Sequence, residues 1–267
     1  METLRDNLWI WGHDAGAHHR GAGLQWKVPG TNRMDPVEAA DYLRIPTCCR
    51  VVFEGSPQPP FDVESEKLRS FKNVVWSVMG DCSSSRNNDG MDDSEEILRQ
   101  AQRFSNISGG ILDDFFRPET GDARMSLERL QEIAERFSHA SRPLDLWLVY
   151  YAALFDVDYS EYLKLMDVIS FWSWDSRQLA QARENLEKII AITPGKKHYA
   201  GCYLYNYGDC REITDEEMNF QLDLYLDFWK QKKIDGIIVC SNNIADTGVN
   251  AVEIFRKWNN LHGSECR

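Results

Sequence analysis

Gly109-Gly110-Ile111-Leu112-Asp113-Asp114-Phe115-Phe116 places two adjacent carboxylates between a short apolar run and two aromatics. Neighbouring acids at the end of a buried segment lose hydration and repel each other, so at least one is driven to keep a proton near neutral pH. A carboxylic acid that holds its proton beside a carboxylate is the pair that glycoside cleavage requires: one group protonates the leaving oxygen, the other serves as base, nucleophile or stabiliser. Phe115 and Phe116 supply the apolar surroundings. A helix cap needs only one carboxylate, so capping does not account for the pair.

These acids must be positioned by a scaffold, and the chain alternates short apolar runs with helical patterns throughout. Expected strands are Leu8–Trp11, Cys49–Phe53, Val74–Val78, Gly110–Leu112, Leu146–Tyr150, Val168–Trp172, Tyr199–Tyr205 and Gly236–Cys240. They are rich in β-branched and aromatic residues, as strands buried on both faces are. Asp35-Pro36 opens the first helix, Ser94–Phe104 and the stripe Leu127, Leu130, Ile133, Ala134, Phe137 mark two more, and 176–192, 214–232 and 249–260 complete the set. Thr214 and Glu217 read as a capping box. The weakest helix lies within Tyr159–Leu165. Eight strands alternating with helices predict one domain over residues 1–267, an α/β fold of the (β/α)8 TIM-barrel type. An open doubly wound sheet usually has fewer strands, and neither a GxGxxG nor a Walker motif follows the first strand.

In such a barrel the active site forms where the strands end at their C-terminal side. Read in order, those ends offer His13 and Asp14, Glu54, Asp81, Asp113 and Asp114, Tyr150 and Tyr151, then Trp172, Trp174 and Asp175, then Tyr205, Asn206 and Asp209, and finally Ser241, Asn242 and Asn243. Acids and amides bond hydroxyls and aromatic faces stack on sugar rings, so the rim has the composition of a carbohydrate site. The catalytic candidates are Asp113, Asp114 and Asp175. The substrate-binding candidates are His13, Asp14, Glu54, Asp81, Tyr151, Trp172, Trp174, Tyr205, Asn206 and Asn242. Simpler roles compete: Asp175 before Ser176 fits a helix N-cap, Asp81 opens the polar loop 82–93, Glu54-Gly55 fits a turn, and His13, His18 and His19 fit an ordinary loop.

Leu112-Asp113-Asp114-Phe115 resembles the end of strand four in the O-GlcNAcase-like β-hexosaminidases. That resemblance implies Asp113 as the group orienting a 2-acetamido substituent, Asp114 as the acid/base and the acetamido oxygen as nucleophile; the glycine-rich motif those enzymes carry after strand one is missing here. The chain is also similar to the α-galactosidase-like clan, which implies a nucleophile at Asp113 or Asp114 and an acid/base at Asp175. The clan with glutamates ending strands four and seven is not matched. Both resemblances imply a (β/α)8 glycoside hydrolase with a carbohydrate substrate and no cofactor or metal.

Two other classes fit the same barrel. A metal-dependent sugar isomerase, epimerase or lyase would bind a hard cation through Glu54, Asp81, Asp113 and a His. A non-catalytic barrel would bind sugar through Trp172, Trp174 and the asparagines. The net charge of −12 argues against nucleic acid as partner, and no run approaches a membrane span. The oligomeric state is not legible. Seven cysteines without CxxC spacing favour free thiols, hence the cytoplasm for a complete chain, or the periplasm or outside for one whose leader has been removed.

Overall fold

The computed structural model describes residues 2–87, 90–117 and 120–267. Eight parallel strands close into a barrel in sequence order: β1 (Leu8–Gly12), β2 (Thr47–Arg50), β3 (Asn73–Met79), β4 (Ile107–Leu112), β5 (Asp145–Tyr151), β6 (Val168–Trp172), β7 (Lys197–Tyr203) and β8 (Gly236–Cys240). Pairing of Leu8 with Ile237 through Trp11 with Cys240 joins the last strand to the first. Helices α1 (Pro36–Leu43), α2 (Asp62–Lys67), α3 (Ser94–Arg103), α4 (Leu127–Ser138), α5 (Ser160–Lys164), α6 (Ala182–Ile192), α7 (Asp215–Lys230) and α8 (Asn250–His262) alternate with them. The expected (β/α)8 architecture is therefore present.

The barrel interior is filled rather than hollow. Trp9, Trp147 and Tyr199 form an aromatic plug, with ring centroids 4.9 Å apart for Trp9–Trp147 and 4.8 Å for Trp147–Tyr199. Above it Trp11 meets Trp172 at 5.2 Å, and Trp172 meets Tyr203 at 5.1 Å. Rings this large need neighbours without side chains. A Cβ on Gly201 would lie 2.0 Å from Trp172, and one on Gly236 would lie 2.6 Å from Tyr199.

Local chemistry sets the helix starts as expected. Asp35 accepts from Val37 and Glu38 while Glu38 reaches back to the Asp35 N–H, with Pro36 at the first helical position. Thr214 and Glu217 form the matching box on α7. On α7, Leu224, Phe228 and Trp229 are buried in the core, whereas Phe220 is half exposed.

Two strands differ from expectation in register. β2 ends at Arg50 rather than Phe53, because Phe53 pairs with Ser56 across a tight turn in which Glu54 (φ 50°) and Gly55 (φ 74°) are left-handed. Val51, Val52 and Phe53 are buried without being strand, so apolarity alone misplaces the boundary. β7 starts at Lys197 and ends at Tyr203, two residues earlier than expected. Its polar start is held by Asp235, which accepts the His198 N–H. Helix α2 has no sequence signal: its stretch Asp62-Val63-Glu64-Ser65-Glu66-Lys67 has no apolar stripe, and it is anchored by the preceding Phe61 stacked on Trp76 at 4.3 Å.

Candidate functional site

A cavity of about 710 Å³ opens at the C-terminal end of the barrel, above the aromatic plug. Of the residues expected there, His13, Asp81, Asp113, Asp114, Tyr151, Trp172 and Trp174 line it. Irregular register between β3 and β4 brings Met79 opposite Leu112, and the Asp113 N–H then donates to the Met79 carbonyl at 3.1 Å. This fixes where β4 ends and turns Asp113 inward. Asp114 follows in the left-handed region (φ 42°), a conformation that short polar side chains tolerate and others disfavour.

Three carboxyl groups therefore share one wall. Burial, then the charge of Asp114 and of Asp81, pushes Asp113 well above the usual carboxylate range. Burial, then Asp81, raises Asp114 to about 6, although it accepts from the Cys82 N–H at 3.3 Å and from Tyr151. Burial raises Asp81 as well, against hydrogen bonds from Ser83 and Ser84. Adjacent acids of this kind titrate as a unit, so between their two steps the Asp113-Asp114 pair carries one proton.

Arg124 lies beneath this wall and was not singled out from sequence. It is buried, and its guanidinium donates to the carbonyls of Gly80 (2.6 Å), Asp81 (3.3 Å), Asp113 (3.2 Å) and Asp114 (3.3 Å). One fixed cation thus ties together the backbone ends of β3 and β4, and its charge offsets part of the upward shift on both acids of the pair. Tyr151 bridges Asp114 to Tyr203 by side-chain hydrogen bonds, and burial keeps both phenols protonated.

The other expected residues stand outside the cavity lining, each bonded to other parts of the protein. Asp175 caps the 3₁₀ turn Ser176–Gln181 and pairs with Arg177, whose hydrogen bonds hold it below the usual carboxylate range. Asp14 sits between Arg50, Ser56 and Arg20; the arginine charge and hydrogen bonds outweigh its burial and leave its carboxyl lowered. Glu54 accepts the Ala22 N–H at 2.5 Å. Tyr205 donates to the Trp26 carbonyl at 2.9 Å, and Asn206 donates to Ser176 and Asp209. Asn242 clamps the backbone of His13, accepting its N–H at 2.8 Å and donating to its carbonyl at 3.1 Å.

The remaining lining includes Trp11, Trp26, Phe53, Tyr203, Tyr207, Cys240 and His18, which strand-end counting missed. Trp174 lies nearly parallel to Tyr207, with centroids 5.5 Å apart, and keeps about a third of its surface (36%) exposed at the mouth. Trp26 meets both Tyr207 (5.2 Å) and Phe53 (5.4 Å). The displaced end of β7 explains part of the omission: Tyr203, not Tyr205, is the inward residue. Trp26 comes from a long excursion after β1 that a strand-by-strand reading passes over. Among the described residues, no three His, Cys, Asp or Glu side chains converge as a metal's ligands would, and no helix is long and apolar enough to cross a membrane.

No family model and no curated protein matches this chain. Solved structures do. The fold is shared with glycoside hydrolases. A putative alpha-L-fucosidase from Bacteroides thetaiotaomicron VPI-5482 superposes with a TM-score of 0.58 at 11% identity, covering 99% of this chain and 98% of its own. The spore cortex-lytic enzyme SleL of Bacillus megaterium QM B1551 gives 0.55 at 10% identity, covering 95% and 74%. A GH113 beta-1,4-mannanase gives 0.54 at 10% identity, covering 97% and 99%. The same fold also appears in the xylanase-alpha-amylase inhibitor protein XAIP-I, solved with trehalose, at a TM-score of 0.56 and 11% identity, covering 96% and 98%. At such identities the likeness establishes the barrel, and the chemistry must come from the cavity.

Proposed function

We propose that this protein is a glycoside hydrolase in which Asp114 is the general acid/base and Asp113 orients the substrate. The observation that carries the reading is the pair of adjacent buried carboxyl groups on the wall of an aromatic cavity, where burial and neighbouring charge raise Asp114 to about 6 and push Asp113 well above the usual carboxylate range. An acid poised near 6 keeps enough proton at neutral pH to donate and becomes basic enough afterwards to activate water. Asp175, ion-paired and shifted the other way, lacks that property, which favours the adjacent pair over an acid across the mouth.

With two acids side by side, the nucleophile is best supplied by the substrate. The resemblance of Leu112-Asp113-Asp114-Phe115 to the O-GlcNAcase-like enzymes supports a β-linked 2-acetamido sugar. The acetamido oxygen attacks the anomeric carbon as the bond to the leaving oxygen breaks and Asp114 transfers its proton to that oxygen. A hydrogen bond from the acetamido N–H favours the ionised form of Asp113, so the shared proton moves to Asp114 as substrate binds. Water deprotonated by Asp114 then opens the cyclic intermediate, and configuration is retained. Screening 4-nitrophenyl glycosides with wild type, Asp113→Asn and Asp114→Asn tests this. Turnover of a 2-acetamido glycoside that collapses in Asp114→Asn is expected; full turnover in that variant would sink the assignment.

A further inference from the structure

We propose that His13 is a hydrogen-bond donor to a sugar oxygen, its proton fixed on Nε2 by a buried chain of hydrogen bonds running through His18 and Tyr207. The sugar contact rests on the glycosidase reading, whereas the placement of the proton rests on the protein alone. His13 and His18 are both buried and both line the cavity. His13 Nδ1 lies 3.1 Å from His18 Nε2, and His18 Nδ1 lies 3.2 Å from the Tyr207 hydroxyl, which in turn accepts from the Cys240 thiol at 3.9 Å. Every ring nitrogen of this pair is therefore engaged within the protein except His13 Nε2. That atom is not among the sealed, unpartnered polar atoms of the interior, so it opens on the cavity.

Both imidazoles are neutral. Burial and then the Arg50 charge lower His13 to about 3, against a smaller opposing effect of Asp14; burial, then His13 and His19, lower His18 well below the ordinary imidazole value. Phe53, Trp26 and Trp11 enclose the pair with rings and add no charge. A neutral imidazole donates from one nitrogen and accepts at the other, so fixing one end of the chain fixes all of it. Tyr207 keeps its proton, because burial raises the phenol well above its ordinary value. With Cys240 and Ser241 donating to its oxygen, its own proton goes to His18 Nδ1; His18 Nε2 then donates to His13 Nδ1; His13 Nε2–H points its proton at the cavity. This order runs in one direction from Cys240 onward and leaves each ring in the Nε2–H form that free imidazole side chains prefer. Successive bonds polarise one another, so the last donor is stronger than an isolated imidazole.

The backbone holds both rings for the purpose. Asn242 clamps His13, and Asn243 accepts the His18 N–H at 3.0 Å while donating to the Asp14 carbonyl at 3.1 Å. His13 follows β1 and the acid pair follows β4, three strands apart round an eight-stranded ring. A sugar in the cavity is thus gripped at its reactive centre by the pair and at a hydroxyl or ring substituent by His13.

Nitrogen-15 NMR of histidine-labelled protein tests the proton placement without substrate. Expected are two uncharged rings at pH 6, both protonated on Nε2, with the His18 Nδ1 signal moving in Tyr207→Phe as its donor is lost. A charged ring, an Nδ1–H form of His13 or an unmoved signal would overturn the chain. For the contact, kcat/KM of His13→Phe is compared with wild type on the monodeoxy series of whichever 4-nitrophenyl glycoside is cleaved. A loss of about three- to tenfold on the parent that vanishes on one deoxy analogue is expected; an equal loss on all analogues overturns it. A panel with no turnover removes the glycosidase reading and the sugar contact together, while the NMR result still decides the chain.

Discussion

Two clusters of acids and arginines at the same end of the barrel behave in opposite ways. At the ends of β3 and β4, Asp81, Asp113 and Asp114 crowd around one buried guanidinium that donates to the backbone carbonyls of Gly80, Asp81, Asp113 and Asp114. After β6 and β7, Asp175 and Asp209 face Arg177 and Arg211, and the arginines bond the carboxylates directly. Residue types match, yet the first group is pushed up and Asp175 is pushed down. What separates them is where the cation points. An arginine aimed at a carboxylate quenches it as an acid; one aimed past it at the main chain holds the geometry and leaves the proton in place.

The sharpest way to break this contrast is to remove the acids in turn. Asp114→Asn is expected to lose on the order of 10²- to 10⁴-fold in kcat, and Asp175→Asn to stay near wild type, since asparagine still caps the following turn. Comparable losses in both, read from initial rates on one glycoside, would erase the distinction. Next in size is Arg124→Met, which removes a donor from four backbone carbonyls, two of them buried. It is expected to cost about 3 kcal/mol or more in denaturant unfolding, and to move the Asp114 limb of the pH–rate profile upward, because Arg124 normally lowers that carboxyl.

Tyr151→Phe is milder. Losing a hydrogen bond that lowers Asp114 raises the same limb, with a drop of about three- to tenfold in kcat/KM. The smallest effect is on stability. Asp114 titrates near 6 when folded and near 3.9 when unfolded. Its contribution is complete below the unfolded value and disappears as pH rises through 6. Asp114→Asn is therefore expected to match wild type in thermal unfolding near pH 4 and to exceed it at pH 7. In wild type, kcat/KM is expected to fall as pH rises above about 6.

The sequence made some of this readable and hid the rest for physical reasons. Strand and helix alternation exposed the barrel, and the improbability of adjacent buried acids exposed Asp113 and Asp114. Counting outward from strand ends assumes that every strand ends where its apolar run ends. β2 and β7 do not: Glu54 is carried round a turn onto Ala22, and Tyr203 occupies the inward position expected of Tyr205. Arg124 was invisible because what ties it to the acid wall is a set of main-chain carbonyls, which have no letter in a sequence. His18 reads as an ordinary loop residue because nothing in the letters between it and His13 shows that the two rings meet. Asp14 and Asn242 were legible as strand-end polar groups, and they hold the loop that carries His13.

The aromatic lining also makes the cavity optically self-reporting. Of the nine tryptophans in the chain, Trp11, Trp26, Trp172 and Trp174 line it; Trp174 is the most exposed, Trp26 is partly buried, and Trp11 and Trp172 are buried. Any molecule settling there dries the exposed indole surface and changes the field on the buried rings, so intrinsic emission will register occupancy before a substrate is known and without a label.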